Sequence, residues 1–127
     1  MSDPRFVGVL DLVSKVSPFA GSGGTMELKD DFSFIDSYGI IWIAHKGDVV
    51  DGASIPKLFK LVIGGSFQSS YLPAAVLHDV YCGTKSRSQH DTSRMFREAL
   101  ITNGVNRIKA YAMWFAVYRF GPQWSTK

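Results

Sequence analysis

The sequence predicts an α+β fold in which a small antiparallel β-sheet from the N-terminal half packs against three C-terminal helices. Up to about residue 50, short runs of β-branched and aromatic residues alternate with turn residues, as in β-strands. From Leu72 onward, apolar residues recur at helical spacing in three successive stretches. A length of 127 residues suits one core, so we expect a single domain over residues 1–127.

Five stretches of the N-terminal half are predicted strands. Residues 6–13 are rich in β-formers, and residues 25–30 and 32–36 alternate apolar with polar side chains. The turn between the two alternating stretches makes them a predicted hairpin. Residues 40–45 are apolar almost throughout, which predicts a strand buried on both faces, and residues 49–50 form a short return strand.

The first two predicted helices are joined by a short polar turn. The first covers residues 73–82, with Pro73 in its first turn and Gly83 as its terminator. In the second, Ser88 is the expected N-cap and Asp91 the third helical residue, the spacing of a capping box, and the helix runs to about residue 103.

The third predicted helix covers residues 105–120 and ends before Pro122. Its side chains are apolar around most of the helix circumference, so we expect it to be mostly buried.

On the first helix, a polar face lies opposite the predicted core face. At 100° per residue, the core arc holds Leu72, Val76, Leu77, Val80 and Tyr81. The opposite arc holds Ala75, His78, Asp79 and Cys82. Because Ala75 and Cys82 are small, this face has room for another helix or for a bound molecule.

Charge and cysteine content exclude several classes of protein. The net charge is +3, but the basic residues are scattered and form no run of five, so there is no nucleic-acid-binding signature. A single cysteine, Cys82, excludes an internal disulfide and a cysteine-rich zinc site. No signal peptide and no apolar run of about 18 residues is visible, so we expect a protein made in the cytoplasm without a transmembrane segment.

The residue types around His78 leave several chemistries open. With nearby carboxylates, His78 could be an acid–base group, or part of a structural hydrogen-bond cluster. Ser54 could be a nucleophile with His78 as its base. Cys82 lies one helical turn from His78, so the two could also form a Cys–His dyad. Two His-Asp pairs also suggest a metal-dependent phosphohydrolase, although His45 is the only further histidine that could serve as a ligand.

The order of motifs resembles a family of small phage- and prophage-associated proteins of unknown function. The motifs are DGASIP at residues 51–56, HDVY at residues 78–81, an Asp-bearing second helix, and a third helix that ends in Arg-Phe-Gly. The resemblance covers about residues 40–121. His90 stands where family members usually have alanine. The resemblance implies a phage origin and no particular activity.

A more local likeness is to phospholipases that cut the second acyl chain, which carry His-Asp-x-x-Tyr on one helix. That likeness implies His78 as general base, Asp79 as a calcium ligand, Asp91 as the carboxylate that orients His78, and Tyr81 as a supporting hydroxyl. This chain departs from the pattern because its tyrosine comes one residue early and its only candidate calcium loop is Gly64-Gly65.

Two function classes follow. The first is a phage hydrolase built on His78, Asp79 and Asp91, with Asp51 and Ser54 as nearby binding residues. The residues alone leave its cofactor unknown, and the phospholipase likeness implies calcium. The second is a non-enzymatic virion component or accessory protein in which the cluster is structural. The aromatic surplus near the C-terminus favours a protein partner, from phage assembly or from the host. In either class, we expect the protein in the host cytoplasm when made, or in the virion.

Overall fold

The computed structural model describes residues 3–15, 25–51 and 69–124. These residues form six strands, a 3₁₀ turn and three α-helices, which confirms the α+β class. The strands are β1 (Arg5–Val7), β2 (Leu12–Lys15), β3 (Thr25–Leu28), β4 (Phe32–Ile35), β5 (Ile41–Ala44) and β6 (Val49–Asp51). The 3₁₀ turn is Ser69–Tyr71, and the helices are α1 (Leu72–Thr84), α2 (Gln89–Thr102) and α3 (Arg107–Phe120).

The described strands form two three-stranded antiparallel sheets rather than one. The first sheet has the order β1-β4-β5, and the second has the order β2-β3-β6. In the first, Phe34 is paired with Trp42; in the second, Met26 is paired with Val50. The consecutive strands β3 and β4 therefore belong to different sheets, whereas β2 pairs with β3 and β4 pairs with β5.

The predicted hairpin of residues 25–30 and 32–36 is wrong, although both strands exist. Tight hairpin turns need a residue with positive φ. In the described backbone such angles occur only at Lys85 and four glycines, none of them between β3 and β4. The end of β3 instead bonds to the chain before β6, since Leu28 N–H donates to the Asp48 carbonyl and Gly47 N–H donates to the Leu28 carbonyl.

The predicted first strand, residues 6–13, is divided at Gly8 into β1 and the start of β2. Gly8 has a φ of +88°, and a Cβ built there would lie 2.9 Å from the Asp31 carbonyl oxygen. Glycine is thus required where the chain leaves one sheet for the other.

The strand predicted to be buried on both faces, β5, is buried on one. Trp42 and Ala44 are buried, whereas Ile41 on the other face is 55% exposed. An antiparallel sheet covered by helices on one side has this alternation.

The three helices follow the predicted bounds within a few residues. The first, α1, packs against β5 of one sheet and β6 of the other, and α2 packs against both α1 and α3. The Ser88 hydroxyl accepts a hydrogen bond from Asp91 N–H at 3.0 Å, which confirms Ser88 as the N-cap of α2. None of the described helices is long and apolar enough to cross a bilayer.

The prediction that the third helix is mostly buried is wrong. Its buried residues are Ala110, Met113, Ala116 and Val117. Its largest apolar side chains lie on a different face and are exposed, with Ile108 at 82% and Phe115 at 52%. The helix has two apolar faces, and the one with the smaller side chains is buried because small residues allow close packing against α2.

Candidate functional site

His78 lies on the face of α1 that is covered by α2. Its ring centroid is 5.0 Å from that of Phe96 on α2, and the side chain is only 8% exposed. The polar face predicted for α1 therefore receives a neighbouring helix. His78 lies in the interior of the helical layer.

Burial keeps both His78 and its neighbour Cys82 uncharged. Desolvation lowers the pKa of His78 from 6.5 to about 4. Burial, with a smaller contribution from the negative charge of Asp79, raises the pKa of Cys82 to about 12. The Cys82 sulfur lies 3.6 Å from the ring nitrogens of His78. At neutral pH this is a contact between a thiol and a neutral imidazole, not the thiolate that nucleophilic catalysis requires.

Asp91, the carboxylate expected to orient His78, lies in the first turn of α2. Its side chain is 49% exposed, and its Oδ1 is 3.6 Å from Nδ1 of His90. No hydrogen bond or ion pair joins Asp91 to His78, both of which are described. The structure thus places Asp91 as a carboxylate in the first turn of α2, a position that stabilises a helix.

Asp79, the predicted calcium ligand, lines an open cleft of about 370 Å³ together with Asp48, Cys82 and Thr84. His78 is not among the residues that line it. Calcium takes six to eight oxygen ligands, and the described residues contain no group of three or more acidic, His or Cys side chains that could hold a metal.

Tyr81, predicted as a supporting hydroxyl, joins α1 to the first sheet. Its hydroxyl oxygen accepts a hydrogen bond from Ile43 N–H at 3.0 Å, and its ring packs edge-on against Trp42 at 4.8 Å. Tyr81 therefore links α1 to the first sheet by a hydrogen bond and by ring packing.

The backbone of Asp51 pairs with Thr25 at the end of β6. Its side chain, Ser54 and the rest of DGASIP lie outside the described residues.

A buried ionic cluster was not anticipated from the sequence. Fully buried Asp36 accepts hydrogen bonds from the N–H groups of Tyr38 and Ile40 and from the Trp42 indole, at 2.9–3.0 Å. Arg94 of α2 lies 3.4 Å from Asp36 and donates to Glu98 at 2.7 Å. The available signal was an Asp just before the turn Ser37-Tyr38-Gly39, since Asp readily binds backbone N–H groups two residues on.

The depressed pKa of His78 gives a pH dependence of stability. The unfolded chain binds a proton on this residue below pH 6.5, whereas the folded chain does so only near pH 4. The unfolded state therefore holds more protons between these values, and the free energy of unfolding should fall by about 3 kcal/mol as the pH drops through this window. Chemical denaturation of the wild type and of His78→Gln across this range measures the difference.

In that comparison, the variant should lack the part of the pH dependence that His78 contributes. An NMR titration of the imidazole gives a direct reading of the same quantity. If His78 titrates near 6.5, or if both proteins lose stability equally on acidification, the hypothesis that His78 is buried and neutral is refuted.

The chain matches a known family over residues 26–117, which include β6, all of α1 and α2 and most of α3. It is 50% identical over 99 residues to the uncharacterized protein y4jT of Sinorhizobium fredii, covering 78% of this chain and 30% of that protein. It is 36% identical over 115 residues to the uncharacterized protein y4iH of the same organism, covering 84% of this chain and 48% of the relative.

The chain thus spans less than half the length of the curated relatives it matches. No solved structure matches it. The family profile, described as a protein of unknown function, covers well over half of the 127 residues. The chain therefore belongs to the DUF1353 family.

Proposed function

We propose that this chain is a phage- or prophage-encoded protein that acts without catalysis, as a module that binds a protein partner through one exposed face of α3. This face, the α3 seam, consists of Ile108, Tyr111, Phe115 and Tyr118. All four side chains are large and apolar or aromatic, and all four are exposed. This exposed seam is the observation that carries the proposal, since contiguous exposed apolar surface marks interaction sites.

The spacing of the seam suits a helical or extended protein segment. Its residues are three, four and three positions apart, which is the spacing of the a and d positions of a heptad. The opposite face of α3 is already buried in the core. A helix that is apolar on both faces is usually buried on both, so the exposed seam is consistent with a partner that covers it.

The charges around the seam select an acidic partner. Arg107 and Arg119 flank the seam on α3, which has no acidic residue. Arg97 of α2 adds a guanidinium over the ring of Tyr111, 4.7 Å from its centroid. A second copy of the chain would bring two basic rims together, whereas a segment with apolar residues flanked by Asp or Glu would meet opposite charge.

The curated relatives and the motifs give further support. The region that matches this chain is less than half of each relative, so in those proteins the domain works beside other protein structure. The phage origin is supported by the resemblance of DGASIP and HDVY to phage-associated proteins. With that origin, we propose that the protein is in the host cytoplasm when made, or in the virion.

The surroundings of His78 support a non-catalytic role. A neutral, nearly inaccessible imidazole, packed on Phe96 and without a hydrogen bond to Asp91, lacks the features of a general base. The packing of α2 on α1 accounts for its position.

The test uses a labelled helical peptide of about three heptads, with Leu at the a and d positions and Glu at the flanking positions. Fluorescence anisotropy should show saturable binding to the wild-type chain. Ile108→Ser combined with Phe115→Ser should weaken binding by at least about tenfold, because two apolar contacts are lost. Val9→Ser, which removes an exposed apolar side chain of the N-terminal segment, is the matched control and should bind like the wild type.

Three results would overturn the proposal. Equally tight binding of a peptide flanked by Lys would show that the partner need not be acidic. If the wild-type chain dimerises in sedimentation and the double Ser variant does not, the seam binds a second copy of the chain instead. Calcium-dependent release of fatty acid from phospholipid vesicles, abolished in a folded His78→Gln variant, would restore the hydrolase hypothesis.

A further inference from the structure

A second surface feature is a cleft of about 450 Å³ between α2, the start of α3 and the turn that follows β4. Its lining includes Tyr38 from the turn, Arg97 and Glu98 from α2, and Arg107 and Tyr111 from α3. The volume is within the range of small-molecule sites, about 300–1,000 Å³.

The charges in this cleft are unbalanced. Arg94 also lines it, but its guanidinium is engaged by Glu98 and Asp36. The Glu98 carboxylate is occupied in turn, since it accepts hydrogen bonds from Arg94 and from Ser37 N–H. Within the described part of the chain, no carboxylate pairs with Arg97 or Arg107. Two guanidinium groups therefore remain to bind an anion.

These two guanidinium groups flank one aromatic ring. Arg97 lies over the Tyr111 ring at 4.7 Å. Arg107 is four residues before Tyr111 on α3, and residues at that spacing are neighbours on a helix surface. Tyr38 supplies a second ring to the cleft. Both tyrosine side chains are substantially exposed.

We propose that this cleft binds a small phosphate monoester that carries a ring. The phosphate would be held by Arg97 and Arg107, whose planar forks match phosphate oxygens in paired hydrogen bonds. The ring would lie against Tyr38 and Tyr111, since aromatic groups stack on tyrosine faces. This site adjoins the contact proposed for a protein partner, and Arg97, Arg107 and Tyr111 border both.

Phenyl phosphate is the probe, and isothermal titration calorimetry is the measurement. Binding to the wild-type chain should be saturable, should be tighter than that of inorganic phosphate, and should weaken as salt is added. Arg107→Gln and Arg97→Gln should each weaken it by about tenfold. Arg119→Gln removes the same charge from the far end of α3 and should leave binding unchanged.

Additional variants separate this site from the α3 seam. Tyr38→Leu should remove much of the advantage of phenyl phosphate over inorganic phosphate. Phe115→Ser should retain wild-type affinity for phenyl phosphate even though it impairs peptide binding. Thermal melts check that each variant is folded, and Arg107→Gln, at an exposed position, is the variant with the least effect on packing.

The inference fails if phenyl phosphate shows no saturable binding. It also fails if Arg119→Gln weakens binding as much as Arg107→Gln, which would indicate general attraction to a basic surface. Benzoate binding as tight as that of phenyl phosphate would remove phosphate as the recognised group.

Discussion

Asp36→Ala should lower the free energy of unfolding by about 3–5 kcal/mol, the cost of removing one partner from a buried ionic network. The substitution leaves the indole N–H of Trp42 and two backbone N–H groups of the turn without their acceptor. It also removes one of the two carboxylates that contact Arg94. The melting temperature should fall by about 10 °C or more.

The control is Asp30→Ala, which removes a carboxylate from an exposed position in the preceding turn and should change stability by less than about 0.5 kcal/mol. Asp36→Asn should lie between the two, since the amide keeps one acceptor but brings an NH₂ group towards other donors. Equal stability of the Asp36→Ala and Asp30→Ala variants would show that the network contributes nothing.

Phe96→Ala should destabilise the chain by about 3–5 kcal/mol, because a fully buried aromatic ring is replaced by a cavity. It should also raise the pKa of His78 from about 4 towards its ordinary value, since the ring that packs on the imidazole is lost. Denaturant unfolding gives the first quantity and an NMR titration of the variant gives the second.

The matched control is Phe115→Ala, the same substitution on the exposed face of α3. Its cost should stay below about 0.5 kcal/mol, and the pKa of His78 should not change. If the pKa of His78 stays near 4 in Phe96→Ala, groups other than Phe96 exclude water from the imidazole. A large loss of stability in Phe115→Ala would mean that the seam is already part of the folded core.

Local signals in the sequence were enough to place the helices. Ser88 predicted the start of α2, and its hydroxyl accepts the Asp91 N–H as expected of an N-cap. These predictions succeed because capping and helical periodicity depend on residues a few positions apart.

Strand pairing and the choice of buried face depend on distant residues. The alternation in β3 and β4 predicts both strands correctly but does not predict their partners. β3 pairs with β2 and β6, and β4 pairs with β1 and β5. In α3, periodicity does not distinguish the face of Ile108 and Phe115, which carries the larger apolar side chains, from the opposite face, which is buried. The opposite face was chosen by its fit to α2, which a periodicity argument does not contain.

The candidate site illustrates the same limit. Placing His78 on the second face of α1 followed from helical geometry, and that face indeed receives another helix. Whether Asp91 reaches His78 depended on how α2 crosses α1, which the spacing of thirteen residues leaves undetermined. Catalytic roles for His78, Asp79 and Asp91 stay predictions that the geometry does not favour.

The position of β1 and β2 has a consequence for the integrity of the two sheets. Both are edge strands, one in each sheet, and both precede residue 26, where the family match begins. Without them, β3 and β4 would each become an open edge with unpaired backbone groups, a surface prone to strand addition and aggregation. In this chain, two short strands separated by Gly8 cover those two edges from outside the part that matches the family.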